Sequence, residues 1–426
     1  MKRVVWLLFT MIVAVAIATV HQSFDRLAFA QDQAVPHQQA INSLTQQQAA
    51  DFALKDGDRI VFFGDSITEA RLYTTYIEHY VVTHYPDRRV TFFNTGWSCE
   101  RVTGNNCGTS PGALARVEQD VIDYQPTVVT LLFGMNDGQY KNFDPATLKV
   151  YEDGLSAIIQ KLKAKTRARI YVMTSTAYDQ INSPSRGKAP PYNDVLKRYS
   201  EAAKQIALRE GLPVIDLHSV TTETLRQAQA KDPKYTFIPD RIHPNEDGHL
   251  IMATEILRFW GASPKGVEIG KKVDIGQNKT TSFSISAPLP WPFPSLSEKI
   301  RNLKPEVMEM GQVNLKITGL PPGKYGINID GEDAGEYTAE KLSSGIAVSS
   351  MSEQAQALSR LLVSLVRQRS DIFYLRWRDI KQPLSGADKR TASLVSTLKS
   401  LEKEMEQRIP LLGQLHEYRL LISAKT

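Results

Sequence analysis

Short apolar runs without alternation recur along the first two-thirds of the chain, at 59–63, 90–94, 127–133, 168–174 and 213–216. They are rich in β-branched and aromatic residues, as in Arg59-Ile60-Val61-Phe62-Phe63. That pattern predicts strands covered on both faces. Between them apolar positions fall at helical spacing, which predicts helices over 69–83, 112–123, 145–164, 192–210, 219–229 and 246–259. Strand and helix in alternation imply a parallel sheet with right-handed crossovers and helices on both faces. The first domain therefore has the α/β class and runs over 55–262.

After Trp260-Gly261-Ala262 the helical period is lost, and 263–345 reads as a β-rich module. Val313–Ile317 and Lys324–Ile329 alternate about Gly319–Gly323, predicting a hairpin of those two strands. Pro288-Leu289-Pro290-Trp291-Pro292-Phe293-Pro294 is expected to be a rigid loop packed on its own module, with a sugar- or lipid-binding surface as the alternative. Residues 346–426 read as a helical extension. Ser350 and Glu353 form a capping box, and Leu358, Leu361, Leu362 and Leu365 share one face of the helix behind it. A second helix near 387–407 carries Leu394, Leu398, Leu401 and Met405, and His416–Ser423 is a candidate closing strand.

The amino terminus changes the picture of where such a domain works. Lys2-Arg3, an apolar run of 17 residues from Val4 to Val20, and Ala28-Phe29-Ala30 make residues 1–30 a signal peptide by pattern. An uncleaved membrane anchor is the alternative, and either reading places the folded part outside the cytoplasm, periplasmic or extracellular. Residues 31–54 are polar and Gln-rich, as expected of a linker. Composition, 42% hydrophobic and 23% charged, is that of a globular protein. The whole net charge of +5 sits in 351–426, without a dense basic run, so nothing points to nucleic acid. Cys99 and Cys107 are the only cysteines. In an oxidising compartment so close a pair is a disulfide candidate, two free thiols being the alternative.

Candidate chemistry gathers where strands end. Gly64-Asp65-Ser66 follows the first strand, Gly96 the second in Asn94-Thr95-Gly96-Trp97-Ser98, and Asn136 the third in Gly134-Met135-Asn136-Asp137. Asp240-Arg241-Ile242-His243-Pro244 precedes the last helix of the domain. These four ordered blocks resemble those of the SGNH hydrolases, the GDSL esterase/lipase family, over about residues 55–262. The resemblance implies a flavodoxin-like three-layer α/β/α fold with five parallel strands. It also implies a serine esterase without metal or cofactor. Ser66 would be the nucleophile, His243 the base and Asp240 its orienting acid. The oxyanion donors would be the N–H groups of Ser66 and Gly96 and the side chain of Asn136. Trp97 and Tyr140, beside two of the blocks, are candidates for lining the pocket, with plain core positions as the alternative. Asp65 and Asp137 are expected to hold loops by hydrogen bonds.

Block two departs from the family at Cys99, which stands where a second glycine is usual, so its backbone turn is open. Three rival readings compete. Gly108-Thr109-Ser110-Pro111-Gly112 fits G-x-S-x-G but follows a loop, not a strand. Asp240, His243, Asp247 and His249 could be read as a metal cluster, though not at H-E-x-x-H spacing. The fold could also survive as a catalytically silent envelope-binding protein. The expected substrate is a small-molecule or glycan acyl ester, an O-acetyl carbohydrate by export and family habit, with lipase- or thioesterase-type acyl hydrolysis as the alternative.

Overall fold

A computed structural model describes residues 51–425, apart from 183–190, 271–272, 274, 276–278, 292–296, 349–351 and 382–388. The segment expected to be a signal peptide, and nearly all of the expected linker, lie outside the described residues. The linker's last part is not linker, because Phe52 and Leu54 are buried in the core and the Ala53 N–H donates to Trp260 O at 2.7 Å.

Five strands, β1 (Arg59–Gly64), β2 (Thr91–Asn94), β3 (Val128–Leu132), β4 (Arg169–Met173) and β5 (Val214–Ile215), form a sheet in the order β2-β1-β3-β4-β5. Every pairing is parallel. The unbroken apolar runs are explained by position, since β1 and β3 are central and covered on both faces. The flanking helices are α1 (Ser66–Glu69), α2 (Leu72–His84), α3 (Ala113–Asp120), α4 (Pro145–Lys165), α5 (Tyr192–Glu210), α6 (Leu217–Lys231) and α7 (Glu246–Phe259). This is a three-layer α/β/α fold. Its strand order reverses between β1 and β3, which opens a crevice at their carboxyl ends.

The helix expected at 69–83 is two helices. Arg71 adopts a left-handed conformation, φ 61°, and separates a single turn behind Ser66 from α2. Every residue of α2 is buried, including Glu78, His79 and His84. Its polar face lies not in water but under the C-terminal extension.

That extension holds two further sheets. β7 (Thr280–Ala287), β9 (Lys324–Ile329), β10 (Glu332–Thr338) and β12 (His416–Lys425) form one, in the order β10-β9-β12-β7; β6 (Lys265–Ile269), β8 (Val313–Ile317) and β11 (Ile346–Val348) form the other, in the order β11-β8-β6. The hairpin expected between β8 and β9 does not form, because those strands belong to different sheets. β9 instead turns back into β10 at Asp330-Gly331, both with positive φ, and the Gly331 N–H donates to Asn328 Oδ1 at 2.8 Å. Asp-Gly is the pair such a two-residue turn requires.

The helices of the extension are α8 (Glu298–Leu303), α9 (Pro305–Met310), α10 (Ala339–Ser344), α11 (Glu353–Tyr374), a π-helical run Leu375–Lys381, and α12 (Lys389–Leu412). Ser350 of the expected capping box lies outside the described residues. The cap is Ser352, whose Oγ accepts the Ala355 N–H at 3.2 Å. The buried face of α11 is Ala355, Ser359, Leu362, Val366, Arg369, Ser370 and Phe373, whereas Leu361 is 51% exposed. A polar stripe is buried here because it meets polar partners on α2. Arg369 forks onto the Glu78 carboxylate at 3.1 and 2.6 Å, and Ser359 Oγ lies 3.2 Å from His79 Nε2. On α12, Leu398 is buried while Leu394 and Leu401 are exposed. Trp291 packs on α2 rather than on its own module. Its Nε1–H donates to Tyr76 O at 3.0 Å, and its ring meets Tyr80 edge-on at 5.3 Å.

Candidate active site

The first corner is built by close approach. β1 ends at Gly64, where a Cβ would come within 2.3 Å of Thr68 Oγ1 and 2.7 Å of Leu132 O. Asp65 caps α1 by accepting the Ile67 N–H at 2.9 Å, which fixes Ser66 as the first helical residue. Ser66 Oγ lies 2.8 Å from His243 Nε2. His243 Nδ1 lies 3.1 Å from Asp240 Oδ1, so the Nδ1–H donates to the carboxylate and Nε2 is left to accept from the serine. Asp240 Oδ1 also accepts the backbone N–H groups of Ile242 at 3.1 Å and His243 at 3.2 Å. One carboxylate thus folds its own turn and orients the imidazole. Asn245 then caps α7 by accepting the Gly248 N–H at 3.2 Å. The 177 positions between Ser66 and His243 are bridged at the carboxyl edge of the sheet.

Gly96 packs on the turn that carries Ser66. A Cβ at Gly96 would stand 2.2 Å from Glu69 N, so no side chain fits. Its N–H donates to Asn94 Oδ1 at 3.1 Å, and Asn94 Nδ2 donates to Thr68 O at 2.7 Å. Asn94 therefore ties the second block to the first. An asparagine two residues before a glycine is an Asx-turn signal that could have marked it in the sequence. Asn136 is buried, with Nδ2 3.4 Å from Asp65 Oδ2 and Oδ1 accepting the Tyr140 O–H at 2.8 Å. Tyr140, expected to line the pocket, thus also sets which way the Asn136 amide faces. Gln139 and Tyr140 both have left-handed backbones, φ 56° and 57°, a rare arrangement for two successive non-glycine residues.

Cys99 and Cys107 are joined by a disulfide with Cα atoms 5.7 Å apart. Cys99 has φ 62°, a left-handed conformation that favours glycine, held here in a cysteine inside a short covalent loop. The loop reaches the third block, because Asn106 Nδ2 donates to Asn136 O at 3.0 Å and the Val102 N–H donates to Asp137 Oδ1 at 2.9 Å. Trp97 takes the core alternative: it is 5% exposed and packed edge-on against Trp377 at 5.8 Å.

Burial pushes the carboxyls of Asp65 and Asp137 up to about 7, opposed by the N–H groups that each accepts. Burial likewise pushes His249 down to about 3; this neutral ring stacks on Tyr73. Asp247 is engaged by the Ser297 N–H at 3.0 Å and the Tyr235 O–H at 3.1 Å. Among the described residues no three His, Cys, Asp or Glu side chains converge as metal ligands, so the rival cluster is not assembled. Ser110 of the rival elbow donates to Glu100 at 3.0 Å, within the buried Arg116–Glu100–Asp120 network.

A doubly wound sheet with a hydroxyl, an imidazole and a carboxylate in a row at its switch point has the arrangement of a serine hydrolase of the α/β class. The model of the GDSL-like lipase/acylhydrolase family matches residues 62–251, so the α/β domain is similar to the carboxylic ester hydrolases of that family. An acetylxylan esterase of Geobacillus stearothermophilus is 25% identical over 225 residues, covering 48% of this chain and 94% of that protein. A solved acetylxylan esterase from the same organism is 26% identical, covers 49% of this chain and 96% of that one, and superposes with a TM-score of 0.39. A gut microbial diltiazem-metabolizing enzyme, 23% identical, covers 89% of this chain and 100% of its own, with a TM-score of 0.71. That likeness spans the extension as well as the α/β domain.

Proposed function

We propose that the protein is an exported serine esterase that removes short-chain acyl groups, O-acetyl groups on carbohydrate first among them, through an acyl-enzyme on Ser66. The observation that carries this reading is the row Ser66 Oγ to His243 Nε2, 2.8 Å, and His243 Nδ1 to Asp240 Oδ1, 3.1 Å. As Ser66 Oγ attacks the ester carbonyl carbon, His243 Nε2 takes its proton, and Asp240 steadies the imidazolium. The carbonyl oxygen becomes an oxyanion that meets the N–H groups of Ser66 and Gly96 and Nδ2 of Asn136. The Gly96 N–H, turned to Asn94 Oδ1 in the free protein, shares that bond with the oxyanion. Collapse breaks the C–O bond, and the leaving alcohol takes the proton from His243. Water activated by the same imidazole then attacks the acyl carbon, releasing the carboxylate and Ser66.

The acetyl and glycan preference is supported by the acetylxylan esterase relative, and export by the basic and apolar leader together with a disulfide suited to an oxidising compartment. Purified protein is expected to hydrolyse p-nitrophenyl acetate and to lose nearly all turnover as Ser66→Ala. Equal rates in both would overturn the reading. Acetate release from acetylated xylan, set against p-nitrophenyl esters of increasing chain length, tests the substrate class.

A further inference from the structure

The turn that carries Ser66 is gripped from outside the α/β domain. Glu69 ends that turn, and its carboxylate accepts hydrogen bonds from Ser98 Oγ and from Tyr374 O–H, the latter at 2.5 Å, while Arg378 Nε lies 3.9 Å away. Ser98 stands two residues after Gly96, so one carboxylate joins the nucleophile's turn, the second block and the extension. Arg71, which closes the turn, gives Nη2 to Asp371 at 3.0 Å, lays its guanidinium 4.3 Å over the Tyr374 ring, and returns Nη1 to Glu69 O at 3.1 Å. Trp97, next to Gly96, is held by two successive residues of the extension, Trp377 edge-on and the Arg378 guanidinium 3.4 Å over its ring. Both belong to the π-helical run Leu375–Lys381. Seven residues in that rare conformation persist only where surrounding contacts fix them.

We infer that Tyr374 and Arg378 are positioning residues of the esterase reaction. By holding Glu69 and Trp97 they set the Ser66 N–H and the Gly96 N–H at the separation one oxyanion requires. The inference rests on the reading of Ser66 and Gly96 given above. Mere attachment of the extension does not need these contacts, since Arg369 on Glu78 and Trp291 on Tyr76 fasten it farther along α2.

The test uses the full chain carrying Tyr374→Phe, Arg378→Met, Glu69→Gln, or Glu69→Gln with Tyr374→Phe. Melting temperature, kcat and KM on p-nitrophenyl acetate, and the rate at which diisopropyl fluorophosphate modifies Ser66 are measured. Tyr374→Phe and Arg378→Met are expected to lower kcat and the rate of serine modification about tenfold, with KM within about twofold. Tyr374→Phe keeps its melting temperature, because its ring stays against Arg71 and Trp377, and it decides the matter if Arg378→Met unfolds. The double variant should lose little beyond Glu69→Gln, as residues acting through one contact are non-additive. Unchanged kcat and modification rates in a stable Tyr374→Phe chain, or a raised KM alone, overturn the inference. Wild-type protein that reacts with neither reagent defeats the Ser66 reading and this one with it.

Discussion

Single residues at the site serve both local folding and chemistry. Asp65 caps α1, faces Asn136 and is wholly buried, and burial holds its carboxyl up to about 7. The folded protein therefore keeps a proton that the unfolded chain gives up near pH 4. The contribution of this proton to stability is complete below pH 4 and is lost as pH rises through about 7. Asp65→Asn keeps the cap and removes the titration. Its melting temperature relative to wild type is expected to climb between pH 5 and pH 8; a difference flat with pH would refute this. In the sequence, Ser66, Gly96, Asn136, Asp240 and His243 stood out by their blocks, whereas Glu69 and Asn94 did not. Glu69 matters through a carboxylate shared across 305 positions, which leaves no local pattern, whereas Asn94 leaves only the short Asx-turn signal before Gly96.

At the scale of elements, the turn after each strand is braced by its neighbours. The disulfide loop is the clearest case, because it keeps Cys99 in a glycine-like conformation and sends Asn106 onto the third block. Replacing both cysteines by serine is expected to cost about 2–3 kcal/mol by the loop-entropy account. Denaturant titration reads that loss directly. kcat should fall with it, since Asn136 loses a support; unchanged kcat would separate the loop from the chemistry. The parallel strands were legible almost residue by residue, because runs buried on both faces have no competing pattern. The break at Arg71 was not, since a left-handed arginine held by Asp371 is a tertiary event. The β8–β9 hairpin failed for a similar reason. Alternation locates strands without saying which sheet receives them, and the Asp330-Gly331 signal was the more specific one.

For the molecule as a whole, the extension is a second wall of the hydrolase fold rather than an appendage. It covers α2 so fully that the buried Arg369–Glu78 ion pair stands where a solvated face would be. Trp291 is a fully buried apolar contact of this kind, with its ring against Tyr80. Trp291→Ala is expected to cost about 3–5 kcal/mol, measured by urea unfolding followed in the far ultraviolet. A loss below about 1 kcal/mol would mean that the wall stands without it. The sequence marked the change of character after Ala262 but not this covering, because His79, Glu78 and His84 look like a wet face until their partners are known.

The placement of β12 bears on how the molecule is made. Residues 416–425 lie between β7 and β9, strands translated far earlier. During synthesis those two strands have bare edges and no common neighbour, the condition in which strands recruit one another between chains. Assembly of the sheet is thus deferred to its final insertion, a slow, long-range step.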